Sequence, residues 1–263
     1  METHLQDGRR QAVKVIDRAA FVRANTSVMA PPLVPEVLLH LAHEAVPLWQ
    51  KTEEELGEMG LAPPFWAFAW AGGQALARHI LDHAEIVRGR SVIDLASGSG
   101  LVAIAALKAG ASHALAADID LFSVAAIALN AELNFDSPPP CGEGLGVGVA
   151  KDSTRGPPPS IPPHKGEGRL SITSADLLAA PPPAAEVILV GDLFYEQKLA
   201  DRVYYWLVAA EAQGSTVLIG DPGRSYLPRH NLENLAEYRV RVTRDLEDAE
   251  IKWTSVWRLA RNC

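Results

Sequence analysis

Residues 92–100, which read VIDLASGSG, constrain the fold of this chain more than any other segment. Their apolar, partly β-branched beginning is typical of a buried strand, and the small residues that follow predict a tight turn. Because a turn of small residues lets backbone amides approach a ligand where the next helix begins, the turn is also a candidate binding site. The segment therefore predicts a strand, turn and helix in a layered α/β fold.

The chain beyond this segment repeats the alternation of short apolar runs and helical stretches, which is the order expected for right-handed βαβ units and a mostly parallel sheet. We predict strands near residues 91–95, 113–118, 170–174, 186–191 and 215–219, and helices near residues 100–109, 121–133 and 197–212. Alternating apolar and polar residues at 238–242 and 251–259 predict an antiparallel hairpin at the sheet edge. Upstream, apolar residues at helical spacing predict a helical extension at 35–57 and a further helix at 71–83.

The composition allows one α/β core with a terminal extension, because the chain has 263 residues of which 48% are hydrophobic. We expect residues 1–62 to form an N-terminal tail and helical extension, and residues 63–263 to form the main domain. The formal net charge of −8 argues against nucleic-acid binding, which needs clustered Lys and Arg. There is no apolar run of membrane-spanning length and no leader pattern, so we expect a cytoplasmic protein without membrane attachment. We also expect a monomer.

Residues 136–168 break the alternation with runs of Pro and Gly and few large apolar residues. Such a segment cannot bury enough surface to offset the entropy lost on ordering. We predict a disordered surface insertion without a catalytic role, and a Pro-rich partner-binding motif is the alternative. Cys141 within it and Cys263 at the end of the chain offer no metal-ligand spacing, so we expect no metal site.

The glycine turn fits two classes of nucleotide-binding protein. Gly98, Gly100 and Ala103 match the G-x-G-x-x-G/A pattern of dinucleotide-binding folds. Asp118 lies 20 residues after Gly98, where a carboxylate would accept hydrogen bonds from ribose hydroxyls. On this fragment alone, an NAD-dependent oxidoreductase remains possible.

Asp94 favours the other class, because residues 94–100 resemble the D-x-G-x-G-x-G pattern of S-adenosylmethionine-dependent methyltransferases of the seven-strand class. This sequence reads Asp-Leu-Ala-Ser-Gly-Ser-Gly and departs from the pattern at Ala96, where glycine is usual. A positive φ would be disfavoured at an alanine. The resemblance implies a Rossmann-like seven-stranded class I methyltransferase sheet, with helices on both faces, and S-adenosyl-L-methionine as the cofactor.

The same resemblance implies a set of cofactor-binding residues at the carboxyl edge of the sheet. Asp118 is the ribose candidate, whereas Asp120 could equally be a helix N-cap. Asp176 could hold the adenine amino group or belong to an ordinary turn. The predicted cofactor-binding residues are Trp66, Trp70, Asp94, Ala96, Ser97, Gly98, Gly100, Asp118, Ile119, Asp176 and Asp192.

Four blocks outside the turn resemble electron transfer flavoprotein β-subunit lysine methyltransferases. They are FWAFAWAGGQALAR at 65–78, GDLFYE at 191–196, LIGDPGR at 218–224 and TSVW at 254–257. This likeness covers nearly all of residues 21–259 except the insertion, and it implies protein-lysine methylation with the flavoprotein β subunit as the substrate. Ribosomal protein L11 methyltransferases share the cofactor half and are the alternative, although they commonly carry an Asn-Pro-Pro-Tyr-type motif in place of DLFY.

The resemblance to these lysine methyltransferases gives Asp192, Tyr195 and Glu196 as candidate catalytic residues. Asp192 and Glu196 would orient the incoming lysine, while Tyr195, together with Trp66 and Trp70, would wall the transfer channel. Two tryptophans four residues apart could equally form one apolar helix face. The block DPGR at 221–224 would line the substrate entrance or be only a turn.

Overall fold

The computed structural model describes residues 17–43, 63–135, 170–242 and 250–260. Within these ranges, helices flank a two-stranded and a seven-stranded sheet. In chain order the strands are β1 (Ser27–Met29), β2 (Leu39–Leu41), β3 (Ser91–Leu95), β4 (His113–Ala117), β5 (Leu170–Thr173), β6 (Val187–Gly191), β7 (Thr216–Asp221), β8 (Leu232–Arg241) and β9 (Ile251–Leu259). The α-helices are α1 (Arg18–Asn25), α2 (Ala71–Asp82), α3 (Leu101–Lys108), α4 (Leu121–Phe135) and α5 (Gln197–Ala212). The insertion predicted at 136–168 lies outside the described ranges.

The described strands of the large sheet stand in the order β5-β4-β3-β6-β7-β9-β8. Strands β3 to β7 are mutually parallel, and β9 runs antiparallel between β7 and β8. The predicted fold class is confirmed, although β8 begins at Leu232 rather than near residue 238. Because the strand order reverses between β3 and β6, the carboxyl ends of these two strands border the crevice where open α/β sheets bind ligands.

Both faces of the parallel strands are covered, which explains why β3 reads as a nearly continuous apolar run. Successive side chains of a strand point to opposite faces. Val92 therefore packs in the core cluster that contains α2 and α3, whereas Ile93 packs in the cluster that contains α5. In the ranges that the structure covers, no helix combines the length and the apolar character needed to cross a membrane.

Paired glycines let α2 lie directly on the ends of β6 and β7. A Cβ on Gly72 would overlap the carbonyl oxygen of Gly220, and a Cβ on Gly191 would lie 3.1 Å from the backbone of Gly73. The first turn of α2 is thereby placed beside the carboxyl ends of both strands. The helix predicted at 71–83 is confirmed, and its position brings it to the edge at which the sequence predicts the site.

The helix predicted at 35–57 is wrong for its first residues. Side chains at 37–41 alternate between buried and more exposed, which is the period of a strand, and Leu39–Leu41 is a strand paired with β1. The N–H of His40 donates to Oδ1 of Asn130 on α4 at 2.7 Å instead of to a helical carbonyl. This tertiary hydrogen bond and the pairing with β1 replace the local bonds of a helix. Residues 44–57 lie outside the described ranges.

Candidate active site

A cleft of about 400 Å³ opens at the carboxyl edge of the large sheet, over the ends of β3, β4 and β6. Its volume is typical of a small-molecule pocket, and its position is the crevice expected from the strand order. The predicted site residues that line it are Trp70, Ala96, Gly98, Asp118, Ile119, Asp176, Asp192 and Tyr195. A second hollow of about 340 Å³ is also bordered by Trp70 but by no other predicted site residue.

Asp94 lies beneath the glycine turn rather than in the cleft lining. Its Oδ2 accepts hydrogen bonds from Oγ of Ser97 at 2.5 Å and from the N–H of Ala103 at 3.0 Å. Burial raises the pKa of Asp94 to about 7, even though both hydrogen bonds act to lower it. Asp94 and Ser97 therefore close the turn onto the first turn of α3, and neither borders the cleft.

Ala96 has a φ of 53°, in the same left-handed region as Gly98 at 54° and Gly100 at 82°. A non-glycine residue in this region costs roughly 1–2 kcal/mol. The alanine that replaces the usual glycine at position 96 therefore strains the backbone beside the cleft. Gly100 does not border the cleft; a Cβ there would lie 3.2 Å from the side chain of Ile127 on α4.

Asp118 ties the end of β4 to the glycine turn. Its Oδ2 accepts from the N–H of Gly98 at 2.8 Å, and its Oδ1 accepts from the N–H of Asp120 at 2.9 Å. Burial raises its pKa. Each carboxylate oxygen has two acceptor positions, so Asp118 retains acceptor capacity for the hydroxyl groups of a ligand in the cleft.

Asp192 follows β6 and is held by the first turn of α2. Its Oδ2 accepts from the N–H of Gly73 at 2.9 Å, and amides at a helix N-terminus favour a negative charge. Its Oδ1 accepts from Nη2 of Arg224 at 2.7 Å. The guanidinium carbon of Arg224 lies 5.5 Å from the centre of a Trp70 ring, within the range of a cation–π contact. The cleft therefore contains a carboxylate and an aromatic face that together hold a cation.

Asp221, at the end of β7, is an electrostatic part of this site that the sequence did not indicate beyond its place in the DPGR block. Its Oδ1 accepts from the N–H groups of Gly223 and Arg224 at 2.6 and 2.7 Å. The residue is only 1% exposed, and its Oδ2 has no hydrogen-bond partner among the described residues. Burial, followed by the charge of Asp192, raises its pKa to about 7. The repeated Gly-Asp pair at the ends of adjacent strands was the signal that could have found it.

Tyr195 forms part of an aromatic wall at the mouth of the cleft. Its ring centre lies 5.8 Å from that of Phe65, which in turn lies 5.9 Å from that of Trp70. Tyr195 is still 47% exposed, so ligands and partners can reach it. Burial raises the pKa of its hydroxyl, which therefore stays protonated at neutral pH.

The structure does not bring Trp66 or Glu196 into the cleft lining. Trp66 is 1% exposed and stacks on Phe122 with ring centres 6.1 Å apart, so it packs in the core. The two tryptophans do not form one helix face, because Trp66 lies in the short 3₁₀ helix Phe65–Ala67 and Trp70 precedes α2 in an extended conformation. Glu196 caps the N-terminus of α5, where its carboxylate oxygens accept from the N–H groups of Lys198 and Leu199 at 3.1 and 2.9 Å. Its position gives it a structural task in a helix cap.

Two further acidic residues act as caps. Asp120 accepts from the N–H of Phe122 at 2.8 Å, as an N-cap does, and it also lines the cleft. Asp176 lines the cleft, accepts from the N–H of Leu178 at 3.0 Å and pairs with Nη2 of Arg202 at 3.0 Å.

The sequence comparisons match one family over most of the chain. The electron transfer flavoprotein beta subunit lysine methyltransferase of Rattus norvegicus is 33% identical in an alignment of length 244 that covers 90% of this chain and 82% of that protein. The protein of the same name from Danio rerio is 33% identical in an alignment of length 249 that covers 92% of this chain and 83% of that protein.

The likeness to ribosomal protein L11 methyltransferases is shorter. The family model of ribosomal protein L11 methyltransferase (PrmA) matches residues 75–143, which include β3, the glycine turn and β4. A solved ribosomal protein L11 methylase from Lactobacillus delbrueckii subsp. bulgaricus is 19% identical, with a TM-score of 0.45 over 74% of this chain and 81% of that chain. Because the flavoprotein enzymes match along 90% of this chain at 33% identity, the chain belongs to the electron transfer flavoprotein beta subunit lysine methyltransferase family.

Proposed function

We propose that this chain transfers a methyl group from S-adenosyl-L-methionine to lysine side chains of the electron transfer flavoprotein β subunit. The observation that carries the proposal is the juxtaposition, in one cleft, of the glycine turn with Asp118 on one side and of Asp192 with Trp70 on the other. The first pair offers a site for the amino acid and ribose parts of the cofactor, and the second offers a site for an organic cation. The names of the relatives supply the identity of the substrate.

The turn fits the proposed cofactor because it leaves room where side chains would stand. A Cβ on Gly98 would meet no atom closer than the carbonyl oxygen of Phe65 at 4.0 Å, so the space beside this backbone belongs to the cleft. The turn around Ala96 and Gly98 would hold the amino acid part, and Asp118 would accept from the ribose hydroxyls. Ile119, 71% exposed, and Asp176 would border the adenine.

When bound, S-adenosyl-L-methionine supplies an electrophilic methyl group on a sulfonium whose positive charge lowers the pKa of a nearby lysine. The chain's own residues supply alignment and exclusion of water, which are the main requirements of an in-line displacement. Asp192 would position the lysine nitrogen, Trp70 would offer it a cation–π contact, and Tyr195 and Phe65 would enclose its aliphatic stem. We assign Glu196 to the α5 cap and Trp66 to the core.

Alignment alone does not make lysine a nucleophile. An unperturbed lysine has a pKa of about 10.4, so forming the neutral amine from the ammonium at pH 7 costs roughly 4.6 kcal/mol. Exclusion of water from the amine disfavours its charged form, whereas Asp192 and the face of Trp70 stabilise that form. We therefore assign Asp192 to binding and orientation of the lysine, and we do not assign it the role of a base.

The proposal is tested by incubating the purified protein with labelled S-adenosyl-L-methionine and either purified flavoprotein or ribosomal protein L11, followed by peptide mass mapping. We expect label on lysines of the flavoprotein β subunit and at least a tenfold loss of rate in Asp192→Asn, about the effect of one charge-assisted contact. Arg258→Met, which removes an exposed ion pair with Glu233 at the sheet edge, is the matched control. Label on L11 alone would overturn the proposed substrate, and calorimetric binding of NAD but not S-adenosylhomocysteine would overturn the proposed cofactor.

A further inference from the structure

The guanidinium of Arg224 lies where the proposed function requires the ammonium of a substrate lysine. It makes the two contacts that a lysine would seek, an ion pair with Oδ1 of Asp192 at 2.7 Å and a cation–π contact with Trp70 at 5.5 Å. Both partners and Arg224 itself line the same cleft. The cation subsite is thus filled by a side chain of the enzyme.

The loop that carries Arg224 is anchored independently of its side chain. Asp221 holds the backbone N–H groups of Gly223 and Arg224 at 2.6 and 2.7 Å. A Cβ on Gly223, where φ is 92°, would overlap the guanidinium of Arg229, so the loop is also packed from the other side. The Arg224 side chain is 20% exposed at the cleft, and its displacement from Asp192 would be a change of side-chain conformation with the loop backbone in place.

The charges around Asp192 favour exchange over simple addition. Arg224 brings one positive charge to Asp192, and two cations at a single carboxylate repel each other. A lysine that makes both the Asp192 and the Trp70 contacts would take the position of the Arg224 guanidinium, so it enters as Arg224 leaves. The released guanidinium is able to reach solvent, because arginine side chains are long and Arg224 already borders the open cleft.

We propose that Arg224 is a specificity-determining residue that occupies the lysine subsite and is displaced from Asp192 by the incoming ammonium group. This inference rests on the proposed function, since it takes lysine as the acceptor. Only a side chain that can make the contacts with both Asp192 and Trp70 displaces Arg224 and binds in the lysine subsite. A neutral side chain, or one too short to reach Trp70, leaves the resident ion pair intact.

The test measures binding of n-butylammonium, a mimic of the lysine side chain, to the full chain saturated with S-adenosylhomocysteine, by ligand-observed NMR. When a competing internal cation is removed, the apparent affinity rises in proportion to the fraction of molecules whose subsite is open. We therefore expect roughly fivefold tighter binding of n-butylammonium in Arg224→Met. Arg224→Gln, which keeps a hydrogen-bond donor to Asp192, should give an intermediate gain. The KM for the flavoprotein should fall in Arg224→Met without a rise in kcat.

Arg258→Met is the control, because it also removes an arginine paired with a carboxylate, at a distance from the cleft. It should bind n-butylammonium as the unaltered protein does. The double variant Asp192→Asn, Arg224→Met should lose the gain, which would tie the effect to Asp192. If Arg224→Met and Arg224→Gln both melt as folded proteins and bind n-butylammonium no more tightly than the unaltered chain, the displacement proposal is overturned. Failure of methyl transfer to the flavoprotein, with n-butylammonium binding intact, would instead overturn the proposed function.

Discussion

Gly72 and Gly220 are in backbone contact, and neither position has room for a side chain. A Cβ built on either residue would overlap the carbonyl oxygen of the other. The same Cβ on Gly72 would lie 2.5 Å from Oδ2 of Asp192. This contact places the first turn of α2 directly on the end of β7, so that the N–H of Gly73 lies within hydrogen-bond distance of the Asp192 carboxylate.

Gly72→Ala should therefore destabilise the protein and disturb the site together. Forcing a methyl group into a packed contact typically costs about 1–3 kcal/mol, and backbone atoms on both sides leave little room to relax. The neighbouring Gly73→Ala is the control, because its added Cβ would meet only a methyl group of Val102 at 4.0 Å. Urea unfolding should show a loss for Gly72→Ala and no loss for Gly73→Ala. Equal stability of the two variants would contradict the contact.

Ala96→Gly should stabilise the protein by about 1 kcal/mol, because glycine adopts the observed φ of 53° without steric strain. The gain is smaller than the strain itself, since glycine also adds entropy to the unfolded chain. Ala109→Gly is the matched control: Ala109 has a φ of −75°, so the same change there should cost stability. Thermal melts of both variants would measure the difference. A destabilised Ala96→Gly would show that the alanine methyl group contributes more by packing than it costs by strain.

The stability of the protein should depend on pH through Asp221. Its folded-state pKa of about 7 lies above the value of an unfolded aspartate, near 3.9. Between these values the folded state binds more protons than the unfolded state, so the contribution of Asp221 to stability falls as pH rises from about 4 to about 7, and it is constant above that range. Buried histidines such as His79, whose pKa burial lowers, act with the opposite sign.

Asp221→Asn isolates the contribution of Asp221, because it removes that titration and leaves those of the histidines and of Asp94, whose pKa burial also raises to about 7. The difference in unfolding free energy between the unaltered protein and the variant should shift in favour of the variant as pH rises, with a slope of at most about 1.4 kcal/mol per pH unit. Urea unfolding at pH 5 and pH 8 provides the measurement. Parallel pH profiles would mean that Asp221 is ionised in the folded protein throughout this range.

The sequence predicted the parallel strands well because each is an apolar run of strand length bounded by turns. Strands buried on both faces are apolar throughout, so their sequences do not show the periodic pattern of an amphipathic helix. The sequence mistook residues 35–43 for a helix because the strand at Leu39–Leu41 depends on a hydrogen bond to Asn130, which is 90 positions away from His40. Residue type identified Asp118 and Asp192 as candidates for the cleft, since a carboxylate after a parallel strand points to the ligand edge. It could not separate Trp66 from Trp70, because burial against Phe122 is a property of the tertiary fold.

The two tryptophans make the last test, because they share a residue type and a segment but differ in surroundings. Trp66 is buried in the core, so Trp66→Leu should cost about 2–4 kcal/mol of stability through the space it leaves, while the folded molecules keep their affinity for n-butylammonium. Trp70 lines the cleft and donates from Nε1 to the carbonyl of Phe65 at 2.9 Å.

Trp70→Leu should cost less stability but weaken n-butylammonium binding, because leucine has no aromatic face for a cation. The loss should be clearest in the Arg224→Met background, where no internal cation competes for the ring. Thermal melts and ligand-observed NMR on the same samples would compare the two variants. If Trp66→Leu instead lost cation binding while remaining stable, Trp66 would belong to the wall of the transfer channel, as the sequence predicted, and the aromatic wall would extend deeper than Phe65 and Trp70.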